Sequence, residues 1–179
     1  YPHNTGDMVV IFAHSRLGAV STPAGFTLYQ TTTADITLYS FYYVAGATPL
    51  TEIALYNTSG SVTNLEYIAV SITGNPATSM FSAFSARSTG ASASIINPSV
   101  TPSHANCLIL SCVAGRLGGG IDFGWATPVP NPGVTECGQA RSDFIMSMAC
   151  CHTQQPTATE TDTFEFTASR YSSGWNPSG

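Results

Sequence analysis

Residues 7–13 read Asp-Met-Val-Val-Ile-Phe-Ala, and residues 106–112 read Asn-Cys-Leu-Ile-Leu-Ser-Cys. Each stretch is a polar residue followed by an apolar run, and each leads to an Arg-Leu-Gly triplet, which begins at Arg16 in one case and at Arg116 in the other. Apolar runs of this length between polar and glycine residues predict β-strands. The same strand therefore opens two parts of the chain, which indicates an internal repeat with a period of about a hundred residues.

Further matches follow in the same order along both parts. They are Pro23–Thr27 with Asn131–Thr135, Asp35–Leu38 with Asp143–Met146, and Glu52–Leu55 after the Pro49 turn with Phe164–Thr167 after the Pro156 turn. We predict an all-β fold, a two-sheet antiparallel β-sandwich of jelly-roll type built from two internally similar halves. One domain would cover residues 1–179, with halves at about 6–74 and 105–170 linked by 75–104.

The second half shows no apolar strand that corresponds to Leu65–Ile72, and residues 170–179 read as a tail apart from Trp175. We therefore expect a sheet edge without its partner strand in that half. No window of the chain shows a helical period of 3.6 residues. The candidate strands are Met8–His14, Phe26–Thr31, Ile36–Val44, Glu52–Tyr56, Leu65–Ile72, Met80–Ala86, Ser94–Val100, Cys107–Ala114, Phe144–His152 and Thr163–Ala168.

The stretch Ile36–Val44 alternates but is apolar on both faces, which predicts a central strand that is covered twice. Tyr39, Phe41 and Tyr43 project from one of these faces. Three interpretations stay open for them: a sandwich core, a subunit interface, or a platform on which sugars stack.

The charge of the chain excludes two classes of partner. Only 8% of the 179 residues are charged, the five cations are all arginines, and the net charge is -5. Contacts to phosphates require a row of cations, so nucleic acid and anionic membranes are not expected partners. No run approaches the roughly 18 apolar residues of a transmembrane helix. Serine and threonine supply 44 residues, and such an uncharged surface suits packing against other subunits.

The five cysteines all lie in the second half and include no C-x-x-C pair, so we predict buried thiols of a protein folded in a reducing cytoplasm rather than a disulfide framework. Cys150 and Cys151 should point to opposite faces of a strand. His152 beside them suggests soft-metal ligation, but the supporting ligand pairs of a zinc site are absent from the sequence.

Catalytic patterns are sparse. No G-x-S-x-G elbow occurs, and His14 and His152 stand at strand ends. Glu160 and Asp162 share one side of an extended segment, where calcium is the alternative to a solvated hairpin. We expect Asp7 to bond its own turn. The sequence thus predicts no enzyme, no metal and no cofactor.

Four motifs carry a resemblance. They are Gly6–Val10, Thr22–Leu28 with its Thr-Pro-Ala-Gly-Phe-Thr-Leu turn, Thr37–Ala45 with its Tyr-Tyr pair, and Pro98–Thr101 before Asn106–Leu110. Together they resemble the jelly-roll-like β-sandwich accessory proteins of tailed bacteriophage virions, which serve as head decoration or as tail and fibre proteins. Phe26 stands where that pattern usually has tryptophan, and Val44 stands where arginine is common. The resemblance implies a virion building or decorating part.

We therefore expect a noncatalytic capsid decoration or cement protein on the virion surface, assembled in the host bacterial cytoplasm. Its partners would be the major capsid protein or other virion proteins and further copies of itself, with a trimer as the expected homo-oligomer. The alternative is a tail or fibre domain that binds host-surface carbohydrate. We expect Trp125 and Trp175 to lie in loops, where an exposed aromatic side chain marks a contact. The candidate interface residues are Trp125, Arg116, Phe123, Tyr39, Phe41, Tyr43 and Trp175.

Overall fold

A computed structural model gives the structure of this chain. It describes residues 4–15, 18–33, 37–48, 50–58, 65–74, 94–116, 125–129, 134–142, 146–168 and 174–178. Within these ranges the chain is all-β, without a helix, and every strand pairing is antiparallel. The strands are β1 (Met8–Ser15), β2 (Thr27–Thr33), β3 (Thr37–Val44), β4 (Leu65–Ile72), β5 (Ser94–Asn97), β6 (Cys107–Arg116), β7 (Trp125–Val129), β8 (Thr135–Ser142), β9 (Met146–Gln155), β10 (Phe164–Ala168) and β11 (Gly174–Ser178).

The strands form three sheets. The N-terminal sheet has the order β2-β3-β1-β4, the C-terminal sheet has the order β11-β6-β9-β8, and the cover sheet has the order β5-β10-β7. The sequence predicted two sheets. The third arises because β5 and β7 flank β10, so the strand predicted at Thr163–Ala168 has two partners of its own instead of joining a larger sheet.

One apolar layer lies between the N-terminal and C-terminal sheets. The even-numbered residues of β1, from Met8 to Phe12, meet Ala114 of β6 and Met148 of β9 in this layer. Because successive side chains of a strand point to opposite faces, Val9 and Ile11 face the other way. Across this layer β4 lies against β8 and β9, which gives the fold its sandwich-like character.

Both sheets are covered on their outer faces as well. The cover sheet packs on the C-terminal sheet through Phe164 and Phe166, which meet Val113 and Ala149. Loop residues from Val20 to Phe26 and from Leu50 to Leu55 cover the N-terminal sheet. The second cover of β3 thus comes from this same chain.

Several strand predictions are confirmed, among them β4 at Leu65–Ile72 and a central β3 covered on both faces. The strand predicted at Glu52–Tyr56 is wrong: this segment joins no sheet, and one isolated bridge pairs Asn57 with Val20. The strand predicted at Met80–Ala86 lies outside the described residues.

The expected unpartnered edge of the C-terminal half is also wrong. Strand β11 pairs with β6 there, with Trp175 opposite Gly115. Three strands lacked a recognisable pattern, because β7, β8 and β11 are poor in β-branched residues and contain glycine or proline. Strand β8 could nevertheless be predicted from the internal repeat, because Asn131–Thr135 leads into β8 as Pro23–Thr27 leads into β2.

Candidate functional site

The tyrosine-rich face of β3 belongs to the core. Tyr39 is 8% exposed and Phe41 is fully buried, and their rings stack with centroids 5.9 Å apart. Tyr43 is half-buried, and its ring lies 5.5 Å from that of Phe26. Of the three interpretations, the core is correct for Tyr39 and Phe41, because neither is accessible to a partner subunit.

The two tryptophans were expected in loops, and the backbone places both in strands. Trp125 begins β7 and pairs with Ala168, whereas Trp175 lies in β11 next to the end of β6. Arg116 ends β6 opposite Gly174, so the structure brings the backbones of Arg116 and Trp175 together and leaves Trp125 in the cover sheet. Phe123 lies outside the described residues.

A groove opens on the outer face of the N-terminal sheet, and we call it the outer groove. It has a volume of about 240 Å³ and is lined by Val9, Ile11, Leu50, Thr51, Glu52, Ile53, Tyr67 and Ala69. Its floor is apolar, since Val9 and Ile11 of β1 are buried. Its rim is polar and aromatic: Glu52 is exposed, and Tyr67 of β4 is 53% exposed.

Sequence reasoning missed this groove. Only the alternation within β4 signals it, because Tyr67 and Ala69 stand on the face of β4 away from Ile68 of the inter-sheet core.

A buried polar pair joins β1 to β4. His14 and Glu66 are register partners, and His14 Nε2 lies 2.9 Å from Glu66 Oε2. Both side chains are buried, and His14 Nδ1 and Glu66 Oε1 have no hydrogen-bond partner. A buried polar pair of this kind fixes the register of two strands, since a slip by one residue would leave both groups without partners.

Thiols gather on the C-terminal sheet. Cys112 and Cys150 are register partners on β6 and β9, and Cys137 Sγ lies 3.2 Å from His152 Nδ1. A hydrogen bond to Cys112, together with burial, raises the pKa of Cys150 well above its usual value. A hydrogen bond to Cys150, together with burial, likewise raises the pKa of Cys137. Both thiols stay protonated at neutral pH, and a protonated thiol is a poor nucleophile.

Cys151 points to the other face of β9, as expected. Cys150 belongs to the layer between the two large sheets, whereas Cys151 packs under the cover sheet. Burial raises the pKa of Cys151 to about 12. All five cysteines are free thiols.

Asp7 and Glu160 accept hydrogen bonds from residues outside the strands. Asp7 is buried and accepts hydrogen bonds from the amides of Asn4, at 2.7 Å, and of Gly74, at 3.2 Å, so its expected role in a turn is confirmed. The carboxylate of Glu160 accepts a bond from the Ser99 hydroxyl. In the part of the chain that the structure describes, no three acidic, cysteine or histidine side chains come together as a metal site.

Comparison with family models, with curated proteins and with solved structures finds no match for this chain. Among the described residues no helix has the length and apolar character that spanning a bilayer requires. Function is therefore argued from the chain itself.

Proposed function

We propose that the chain is a noncatalytic structural protein of a tailed-phage virion, a decoration or cement protein that sits on the capsid surface. The observation that carries the proposal is the outer face of the N-terminal sheet. This face holds a groove above a buried apolar floor, and Tyr67 is exposed at its rim. Aromatic side chains over apolar floors are typical of protein contacts rather than of free surface.

The low charge supports the same role. The chain has five arginines and no lysine, and the described surface exposes further large apolar side chains, among them Tyr56, Ile96 and Leu28. A protein that buries much of its surface against neighbours needs little charge for solubility. A decoration protein that binds only the assembled shell stabilises that shell by mass action.

We further propose that the sandwich is of jelly-roll type and arose from two similar halves. The N-terminal sheet runs β2-β3-β1-β4, and the C-terminal sheet runs β8-β9-β6-β11 when read from its other edge. In each half the strand that comes first in the chain lies between the third and the fourth, and the second is at the edge. The outer hairpin of each sheet also carries one bulge, at Tyr29 and at Cys137.

The partners under this proposal are the major capsid protein and two further copies of the chain. Electron cryomicroscopy of phage particles made with and without the gene tests the location directly. We expect extra density on the capsid surface in the first preparation only, and light scattering of the purified chain should give a trimer.

Heat stability of the particles is the matching functional measurement. Particles without the protein should release their genome at a lower temperature, and adding back the purified chain should restore the original value. Density at the tail tip together with saturable binding to host polysaccharide would replace the decoration role by that of a tail or fibre domain.

A further inference from the structure

The covers of the two large sheets correspond part by part. In the C-terminal half β10 pairs with β7, which precedes β8 in the chain. In the N-terminal half the segment 50–57, which we call the cover segment, pairs with residues that precede β2. Asn57 bridges Val20, and the Tyr56 carbonyl accepts a 2.9 Å bond from the Ser21 amide. The cover segment therefore has the same position relative to the N-terminal sheet as β10 has relative to the C-terminal sheet.

Strand β5 is the remaining part of the cover sheet. It pairs with β10 on the side away from β7 and lies over β6 and β11. In the strand order of the two large sheets, β1 corresponds to β6 and β4 corresponds to β11. The place in the N-terminal half that corresponds to β5 is therefore beside the cover segment and above β1 and β4. The outer groove occupies that place, because Val9, Ile11, Tyr67 and Ala69 of these two strands line it together with residues 50–53.

The cover segment borders the groove, because its residues 50–53 are part of the lining. Within the described part of the chain, residues 52–55 form no backbone hydrogen bond, whereas Tyr56 and Thr58 beyond them are bonded to the residues around Val20. Unpaired amides and carbonyls along an extended segment are the template on which a further strand adds. The equivalent edge of β10 is filled by β5 from Phe164 to Thr167.

We propose that the outer groove binds an extended segment of a partner polypeptide, which adds as a strand to residues 52–55. Alternate apolar side chains of that segment pack on Tyr67, Ala69 and Ile53, the apolar lining residues that are at least partly exposed. Glu52 is the charged residue among those that line the groove, so the segment carries a cation next to it. The chain's own β5 reads Ser-Ile-Ile-Asn and has no cation, which favours a different polypeptide over a second copy of this chain. The inference goes beyond the virion role, since the correspondence of the two covers and the unbonded backbone of residues 52–55 carry it whatever assembly the chain belongs to.

Capped synthetic peptides with the sequence of residues 93–100 are the probe, since they contain β5. One version carries Asn97→Arg and another carries Asn97→Glu, because Asn97 pairs with Phe164, the residue that matches Glu52. Isothermal titration and amide hydrogen exchange on the whole chain measure binding. We expect the arginine peptide to bind about threefold more tightly than the glutamate peptide, and Glu52→Gln should abolish that difference. Exchange should slow at the amides of residues 52–55.

Two controls separate strand addition from simple apolar adhesion. A peptide with methylated backbone nitrogens keeps its side chains but loses donors, and it should bind about tenfold more weakly. Ala69→Trp fills the groove and should weaken binding by a similar factor, whereas Gln154→Trp, at an exposed position of β9, should leave it unchanged.

Three results would overturn the proposal. They are no saturable binding of any peptide at about 1 mM, equal binding of the methylated peptide, and protection of the same amides in a dimer of the chain without peptide. Each leaves the imaging test of the virion role unaffected, so the two proposals fail separately.

Discussion

The N-terminal and C-terminal sheets share a strand order but differ in what they bury. The N-terminal sheet places His14 and Glu66 opposite each other on β1 and β4. In the C-terminal sheet, the alignment of Arg16 with Arg116 puts Ala114 at the position of His14, and its register partner on β11 is Asn176. The C-terminal sheet instead collects thiols, with Cys112 and Cys150 on its inner face.

The outer covers of the two sheets also differ. Strands cover the C-terminal sheet, whereas loops cover the N-terminal sheet and leave a groove. Backbone ladders and alternation therefore set the arrangement of strands in both sheets, while the side chains at one register position differ between them. Differences in chemistry between the halves are therefore the places to look for function.

The largest loss of stability should come from truncating a buried ring in the layer between a large sheet and its cover. Phe41→Ala and Phe166→Ala each remove a ring that is at most 1% exposed, and we expect losses of about 3–5 kcal/mol in the free energy of unfolding. Phe166→Ala should lie at the upper end, because the strands around it cannot close the cavity as loops can. Urea unfolding measures both, with the exposed Leu28→Ala as control. A smaller loss for Phe166→Ala than for Phe41→Ala would remove the distinction between a strand cover and a loop cover.

Breaking the buried pair of His14 and Glu66 should lower the free energy of unfolding nearly as much as removing a core ring. Glu66→Leu leaves His14 Nε2 without its partner in an apolar layer, and we expect a loss of about 3 kcal/mol. The double variant His14→Leu/Glu66→Leu should recover most of that loss, because neither polar group then remains. Thermal unfolding of the two single variants and the double variant gives the coupling energy. Additive losses would show that the pair does not act as a unit.

The sequence predicted much of the first half and less of the second. Strands β1, β3 and β4 alternate or run apolar with β-branched and aromatic residues, so their bounds follow from pattern. Strand β11 reads Gly-Trp-Asn-Pro-Ser, and nothing local in it favours a strand. It is a strand because β6 offers it an edge, and that tertiary effect is invisible to local pattern.

The candidate site was the least predictable part. Tyr39 and Phe41 attracted attention because they are aromatic and periodic, yet the cover segment buries them. Nothing in the sequence distinguishes Tyr67, because a single exposed tyrosine on an alternating strand is ordinary. Tyr67 belongs to a groove only because the fold brings Glu52 and Val9 next to it from distant parts of the chain.

Alkaline pH should destabilise the chain through the thiols of the C-terminal sheet. Burial raises the pKa of Cys151 from an ordinary value of 9.0 to about 12, so the folded chain keeps a proton that the unfolded chain loses. The resulting stability is complete below pH 9 and falls as pH rises toward 12, by about 1.4 kcal/mol at about pH 10. Cys151→Ala should flatten that fall in urea titrations.

Val113→Ala serves as the matched control for the thiol, since Val113 packs in the same layer and has no proton to lose. It should lower stability by the same amount at pH 7 and at about pH 10. An unchanged slope in Cys151→Ala would show that this thiol is not the source of the alkaline sensitivity.

The smallest effects concern glycines, and they test whether the turn before β2 is as strictly shaped as the sheet edge at β8. Gly25 has a φ of +80°, a conformation that side chains rarely adopt, and we expect Gly25→Ala to cost about 1 kcal/mol. Gly138 of β8 lies next to the bulge, but a Cβ there would meet Ile68 only at 3.9 Å, an ordinary contact. Gly138→Ala should therefore be neutral or stabilise the chain by about 0.5 kcal/mol, because it reduces the freedom of the unfolded chain. Gly46→Ala, with open space around it, is the control. Equal losses at Gly25 and Gly138 would mean that the bulge requires glycine as much as the turn does.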